Sequence, residues 1–338
     1  MKNIIGIAAV LAFALAPCAR AQPEKRDVHI AVGGKASFYY LPLTIAEQLG
    51  YFRDEGLNVK FSDFAGGAPA LRAVVGGSAD VVSGAYEHTI SLQAKKQHFQ
   101  AFVSQGRLPQ IAFGVATPKA GSVKSFRDLK GLKVGVSAPG SSTHNLVKQL
   151  LTLGGLDPNK DVSVVGVGLG ASAIAALKSG QIDAVSNTDP VITKLEQEGA
   201  IKVIADTRTV KGTLAVWGAP LPAGCLHAPI GFVRKNPKTA QALANAMVRA
   251  DKWIAKATAT DIAKVVPEAY LLGDRALYLF SFDKVKEAFS PDGIIPDAGA
   301  RATLKALAAF DPAIKASEIN LQDTYTNEFA NKANQKYK

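Results

Sequence analysis

Ser141, Ser142 and Thr143, preceded by Ala138, Pro139 and Gly140 and followed by His144, put three hydroxyls in a row beside several free backbone amides. Apolar spacing predicts a strand over 132–136 before them and a helix over 142–153 after them. They therefore stand at a helix start, where unpaired N–H groups and the helix dipole favour an anion. A carboxylate, sulfonate or nitrate fits there without a dedicated cation. One hydroxyl suffices to cap the helix, which leaves two to face a ligand or water.

Two glycine-bearing loops follow predicted strands in the same way. Gly33, Gly34, Lys35, Ala36, Ser37 and Phe38 come after a strand over 28–32, and Ala65, Gly66, Gly67 and Ala68 after one over 58–64. Glycine lets backbone amides approach a ligand closely. Lys35 either adds charge to the site or faces water. Phe38, Tyr39 and Tyr86 either wall an apolar part of the ligand or belong to the core. Trp217, within a Gly- and Pro-rich passage over 212–228, is expected over a cleft; Arg107 pairs an anion or faces solvent. Gly166, Gly168 and Ala171 match Gly-x-Gly-x-x-Ala, with Asp189 about twenty residues on. A dinucleotide loop, a generic binding loop and a plain structural turn all stay open for that segment.

Other signatures are absent from the sequence. There is no Gly-x-Ser-x-Gly elbow, no His-Glu-x-x-His helix, no cysteine pair at metal spacing and no phosphate loop. His29, His88, His98, His144 and His227 are scattered, so no metal site and no cofactor are expected. The acid–base pair weighed for an enzyme acting on a small acid is Glu87 with His144.

These groups need a scaffold, and the scaffold needs a compartment. Lys2, the apolar run Ile4 to Ala16, and Ala19, Arg20 and Ala21 read as a cleaved signal peptide over 1–21, with the mature chain starting at Gln22. The run is too short to span a bilayer, which takes roughly 20 residues. Pro17 before Cys18 argues against a lipoprotein signal. Loss of Cys18 leaves Cys225 alone, so no disulfide forms within the mature chain. The net charge of +11 is dispersed rather than blocked, which suits anionic solutes or a membrane face, or else simply a solvated surface.

The remaining length exceeds one comfortable core, and two lobes are expected. Strands over 28–32, 58–64, 80–83 and 99–104 alternate with helices over 41–49, 69–75 and 89–96. After a polar stretch at 117–130, strands over 132–136, 162–167, 184–186 and 201–205 alternate with helices over 142–153, 171–179 and 190–197. Such alternation means parallel strands covered by helices. A strand is expected over 229–233, and then a long helix opened by Asn236 and Pro237. The last hundred residues are helical and need the first lobe to pack on. An insertion is therefore favoured over two consecutive domains: lobe 1 over 22–117, lobe 2 over 118–224, and lobe 1 again over 225–338, with a cleft between.

Over almost the whole mature chain the sequence resembles the substrate-binding proteins of ABC importers for nitrate, taurine, alkanesulfonates and bicarbonate, which share their fold with thiamine-pyrimidine synthases. The resemblance is carried by Ala46, Glu47, Gly50, Tyr51, Phe52, Glu55, Gly56 and Leu57, by Asp128 to Gly131, Pro139 to His144 and Gly154 to Asp157, and by Gly180, Gln181, Ile182 and Asp183. It implies a type II periplasmic binding protein fold: two mostly parallel α/β lobes, one inserted in the other, closing on one small anionic solute. It also implies a membrane permease as partner, a monomer, and no nucleic acid. By resemblance the ligand lies among Lys35 to Phe38, Gly66 to Ala68, Gly84 to Glu87 and Ser141 to His144. Where sulfonate binders carry a tryptophan before Asp-Pro, this chain has Asn187, Thr188, Asp189 and Pro190. With Cys225 alone, the cysteine-rich motif of the pyrimidine synthases cannot be present. A receptor for a neutral heterocycle and an enzyme on the same scaffold stand as alternatives.

Overall fold

A computed structural model describes residues 22–338, so the expected signal peptide lies outside the described residues. Two five-stranded sheets organise the chain. The first contains β1 (Asp27–Val32), β2 (Asn58–Asp63), β3 (Val81–Ala85), β4 (Phe99–Ser104) and β10 (Gly224–Pro229), in the order β2-β1-β3-β10-β4. The second contains β5 (Ile111–Ala116), β6 (Lys133–Val136), β7 (Ser163–Gly166), β8 (Ala184–Thr188) and β9 (Ile201–Asp206), in the order β7-β6-β8-β5-β9. All strands of the second sheet lie between β4 and β10 in sequence, so the second lobe is inserted in the first.

Within each lobe the first three strands run parallel, with Ile30 opposite Phe61 and Val81, and Val134 opposite Val164 and Ala184. Helices cover both faces, which is why β1 reads as an apolar run and not as an alternation. One strand per sheet breaks the parallel rule. β10 is antiparallel to β3 and β4, and β5 is antiparallel to β8 and β9.

These two strands correct the expected boundaries. The expected boundary puts residues 111–117 in the first lobe, yet β5 sits inside the second sheet, so the chain crosses over between Arg107 and Ile111. Alternation hides β5, because it arrives from the other lobe without a preceding helix. The passage over 212–228 likewise holds a helix, Val210–Trp217, and β10, while the strand expected over 229–233 is the helix Ile230–Lys235.

Local chemistry places the helices. Pro42 sits in the first turn of Leu41–Gln48, and Gly50, at φ 75°, stops it in the left-handed conformation. The long helix Pro237–Lys256 buries Leu243, Met247, Ala250 and Ile254 against the first sheet. Asn236 does not cap it with its side chain; the Glu24 carboxylate does, accepting from the amides of Lys238 and Thr239 at 3.0 Å each.

Two segments join the lobes and bond to each other. The Gln105 amide donates to the Gly224 carbonyl at 2.7 Å and the Ala223 amide to that of Gly106 at 2.9 Å. Within lobe 2 the β5–β9 ladder runs on past Asp206, the Gln110 amide donating to the Thr207 carbonyl at 3.1 Å and the Thr207 amide to that of Ile111 at 2.9 Å. No helix among the described residues is long and apolar enough to cross a membrane.

Candidate functional site

The carboxyl ends of the strands, and the helix starts that follow them, meet in the crevice between the lobes. Where parallel strands end, side chains and helix N-termini converge without obstruction, which is the usual ligand position in such sheets. Here the crevice is closed. The Ala68 amide donates to Ser141 Oγ at 3.0 Å, Ser37 Oγ lies 2.7 Å from Thr188 Oγ1, and the Phe38 amide donates to the Asp189 carbonyl at 3.1 Å. Farther out, Asn145 Nδ2 donates to Glu87 Oε1 at 2.7 Å and Lys284 meets Glu196 at 2.9 Å.

These contacts enclose a cavity of about 20 Å³, lined by Tyr39, Tyr40, Gly67, Ala85, Ile111, Ser137, Ser141, Ser142, Thr143, Leu169 and Thr188. That is room for about one water, so an organic solute enters only when the lobes part. Larger hollows of about 570 and 510 Å³ lie on the outer faces, each lined by a single lobe. Binding there would not couple to closure.

The lining holds no charged side chain and many hydroxyls. Thr143 Oγ1 accepts from the Ser137 amide at 3.0 Å and pairs with Ser137 Oγ at 2.9 Å. Ser141 precedes the helix Ser142–Leu153 without capping it, because its hydroxyl is turned across the crevice to Ala68. Burial, and then the Glu87 carboxylate, push the Tyr39 phenol far up, and burial does the same for Tyr40. Both stay O–H donors at any physiological pH. Loop contact from lobe 1 depends on glycine: a Cβ on Gly33 would stand 2.2 Å from the Gly66 carbonyl carbon.

Of the residues singled out by sequence, Tyr39, Gly67, Ser141, Ser142 and Thr143 line the cavity, as does Ala85 from the expected Gly84 to Glu87 segment, and Ser37, Gly66 and Ala68 border it. Others are engaged elsewhere. Lys35 is buried against Glu47 with its ammonium 4.1 Å over the Phe61 ring, so it brings no charge to the crevice. The amides of Gly34 and Lys35 are already taken by Asp63, at 2.8 and 3.0 Å. Half-buried Ala36 does not line the cavity. Phe38 packs on Tyr278, ring centres 4.4 Å apart, and Tyr86 bonds Thr324 at 2.7 Å; both are core. Gly84 is buried within β3, and its neighbour Ala85 reaches the cavity instead.

Arg107 is exposed and donates to the Glu287 carbonyl at 2.7 Å. Trp217 packs between the core of lobe 2 and the cluster around Leu304 and Phe310, away from the lining. Asn187 donates to the Gly168 carbonyl at 3.0 Å. Asp189 is fully buried; it accepts from Arg208 at 3.2 Å and from the Thr193 amide at 2.8 Å, which makes it a structural anion. Glu87 and His144 do not meet: the first holds Asn145, and the second accepts the Gly140 amide at 3.0 Å. Burial, then Lys148, bring His144 down to about 4, so it is neutral at pH 7.

Tyr40, Ser137, Thr188, Ile111 and Leu169 line the cavity but were not singled out. Ser137 and Thr188 follow directly from their place at the ends of β6 and β8. Ile111 required knowing that β5 belongs to the second sheet.

A family model described as the NMT1-like family matches residues 21–267. A solved structure from Bordetella bronchiseptica RB50 is 58% identical, covers 94% of this chain and 99% of its own, and superposes with a TM-score of 0.92. The alkanesulfonate-binding protein SsuA from Xanthomonas axonopodis pv. citri, bound to MOPS, is 18% identical with a TM-score of 0.68, covering 91% of this chain and 99% of that one. The periplasmic nitrate-binding protein NrtA from Synechocystis PCC 6803 is 17% identical with a TM-score of 0.69, covering 94% and 90%. The last two share the architecture of two inserted α/β lobes. With the sequence match spanning most of its length, the chain belongs to the NMT1-like family and has the periplasmic binding protein fold.

Proposed function

We propose that the protein is the solute-binding component of an ABC importer, exported to the periplasm, which closes over a small anion and delivers it unchanged to a membrane permease. The candidate classes are sulfonate, carboxylate, nitrate and bicarbonate. One observation carries the reading: the closed crevice joins the start of the helix Ser142–Leu153 to hydroxyls from both lobes. Helix-start amides and neutral O–H groups hold an oxyanion without a cation. Contacts made by both lobes favour the closed state, because a ligand shifts the equilibrium by its differential affinity. Solved proteins of this fold named for alkanesulfonate and nitrate support the solute class.

A neutral heterocycle is the second reading, favoured by the absence of any charged lining residue and by the paired Tyr39 and Tyr40. Thermal-shift and calorimetric titration with nitrate, bicarbonate, taurine, alkanesulfonates, aromatic carboxylates and a pyrimidine separates the two. Stabilisation by at least one anion is expected. Response to the pyrimidine alone would transfer the assignment, and recovery of a converted product would reopen the enzyme.

A further inference from the structure

Behind the cavity wall two histidines face each other with little to bond to. His88, in the first turn of Glu87–Ala94, is 4% exposed, and His227 on β10 is wholly buried. Their rings lie edge to face, centres 6.3 Å apart. Both nitrogens of His88 and Nε2 of His227 are buried without a well-formed hydrogen bond, while His227 Nδ1 lies 3.5 Å from Cys225 Sγ. The Gly140 backbone of lobe 2 faces the His88 ring. Unpaired buried nitrogens are costly and few in folded proteins, so three at one spot need a cause.

Two glycines make room for this pair. A Cβ on Gly67 would stand 3.3 Å from His88 Cε1 and 3.6 Å from the Tyr40 hydroxyl; one on Gly84 would stand 3.2 Å from His227 Cε1. Gly67 also lines the cavity, so a residue without a side chain stands between the His88 ring and the solute space. Burial, opposed by Glu87 and by the Gly140 backbone and reinforced by Lys95, lowers the His88 pKa, and burial brings His227 down to about 3. At neutral pH each ring then offers one N–H donor and one acceptor nitrogen. A bare oxyanion satisfies the donor alone.

We infer that the binding site extends past Gly67 to His88, and that its occupant carries, beside the acceptor group held at the Ser142–Leu153 helix start, a hydroxyl or amide that both donates to and accepts from this imidazole. The inference deepens the proposed function and rests on it. Calorimetry at pH 7.5 with matched probes tests it: ethanesulfonate against 2-hydroxyethanesulfonate, propionate against lactate, and benzoate against 4-hydroxybenzoate. In at least one pair the hydroxylated member is expected to bind about tenfold more tightly. That ratio falls to near one in His88→Leu and is partly restored in His88→Gln, whose amide also donates and accepts.

Equal affinities within every pair, or a ratio unchanged in His88→Leu, overturn the inference. Solute-free melting gives an independent readout. Removing unpaired polar atoms leaves the Tm unchanged or raises it, whereas a fall of more than about 5 °C in both variants shows a structural role and overturns it. Should no probe bind at all, the sulfonate and carboxylate classes of the proposed function fail, and the melting result alone decides on His88.

Discussion

The two sheets share one strand order and bury it differently. In lobe 1 one dominant core runs from β1 and β3 to Pro237–Lys256 and the C-terminal helices, with two smaller clusters beside it around Ile90 and Leu304 and around Ala70 and Val82, whereas lobe 2 is divided between two clusters of similar size, one around Phe113 and Leu146 and the other around Val185 and Ile192. Lobe 2 compensates with charge. Arg208, 3% exposed, reaches Asp189, Glu196 and Asp206 at 3.2, 3.0 and 2.6 Å, and Glu196 also takes Lys284 from lobe 1. The site divides along the same line: lobe 1 supplies phenols and glycines, lobe 2 aliphatic hydroxyls at a helix start. The heavier lobe is the frame, and the lighter one carries the determinants aimed at an anion.

The sharpest way to break this contrast is Arg208→Ala, which leaves Asp189 buried without its counter-ion. A loss of about 3–5 kcal/mol is expected in urea unfolding, concentrated in lobe 2. Next comes Gly33→Ala: its Cβ meets backbone at 2.2 Å, so the two lobe 1 loops must separate. A cost of about 1–3 kcal/mol and at least a tenfold loss of solute affinity should follow, read by melting and calorimetry. Comparing Ser141→Ala/Thr143→Ala with Tyr39→Phe/Tyr40→Phe asks which lobe dominates recognition. If the helix start dominates, the first pair costs more, roughly tenfold per hydroxyl; the reverse order shows that the lobe 1 phenol hydroxyls hold the solute instead.

Acidification probes both lobes together. Burial depresses His88, His144 and His227, the last two to about 4 and 3, below an unfolded value of about 6.5. The unfolded chain therefore binds more protons between about pH 4 and 6.5, so stability rises with pH through that window and levels off above it. A Tm about 5 °C lower at pH 5 than at pH 7.5 is expected by calorimetric scan. Smallest of all is Lys35→Ala, whose partner Glu47 is 32% exposed: about 0.5–1 kcal/mol, with solute affinity unchanged.

Parallel βα units were legible in the sequence because apolar runs, helix-stopping glycines and Pro42 all act locally. The helix start at Ser142 and the loop at Gly66 to Ala68 could be read for the same reason. β5 and β10 could not, since an antiparallel strand entering from the other lobe has no local signature. Lys35, Arg107 and Asp189 misled because a charge looks available until its partner is known. Glu47, the Glu287 carbonyl and Arg208 are 12, 180 and 19 positions away.

The bonded pair of connecting segments has a mechanical corollary. The outgoing stretch at Gln105–Gly106 and the returning one at Ala223–Gly224 lie laced side by side, so they bend readily across their flat face and resist sliding past each other. Opening should then follow one arc, and every solute, large or small, would meet the same approach geometry.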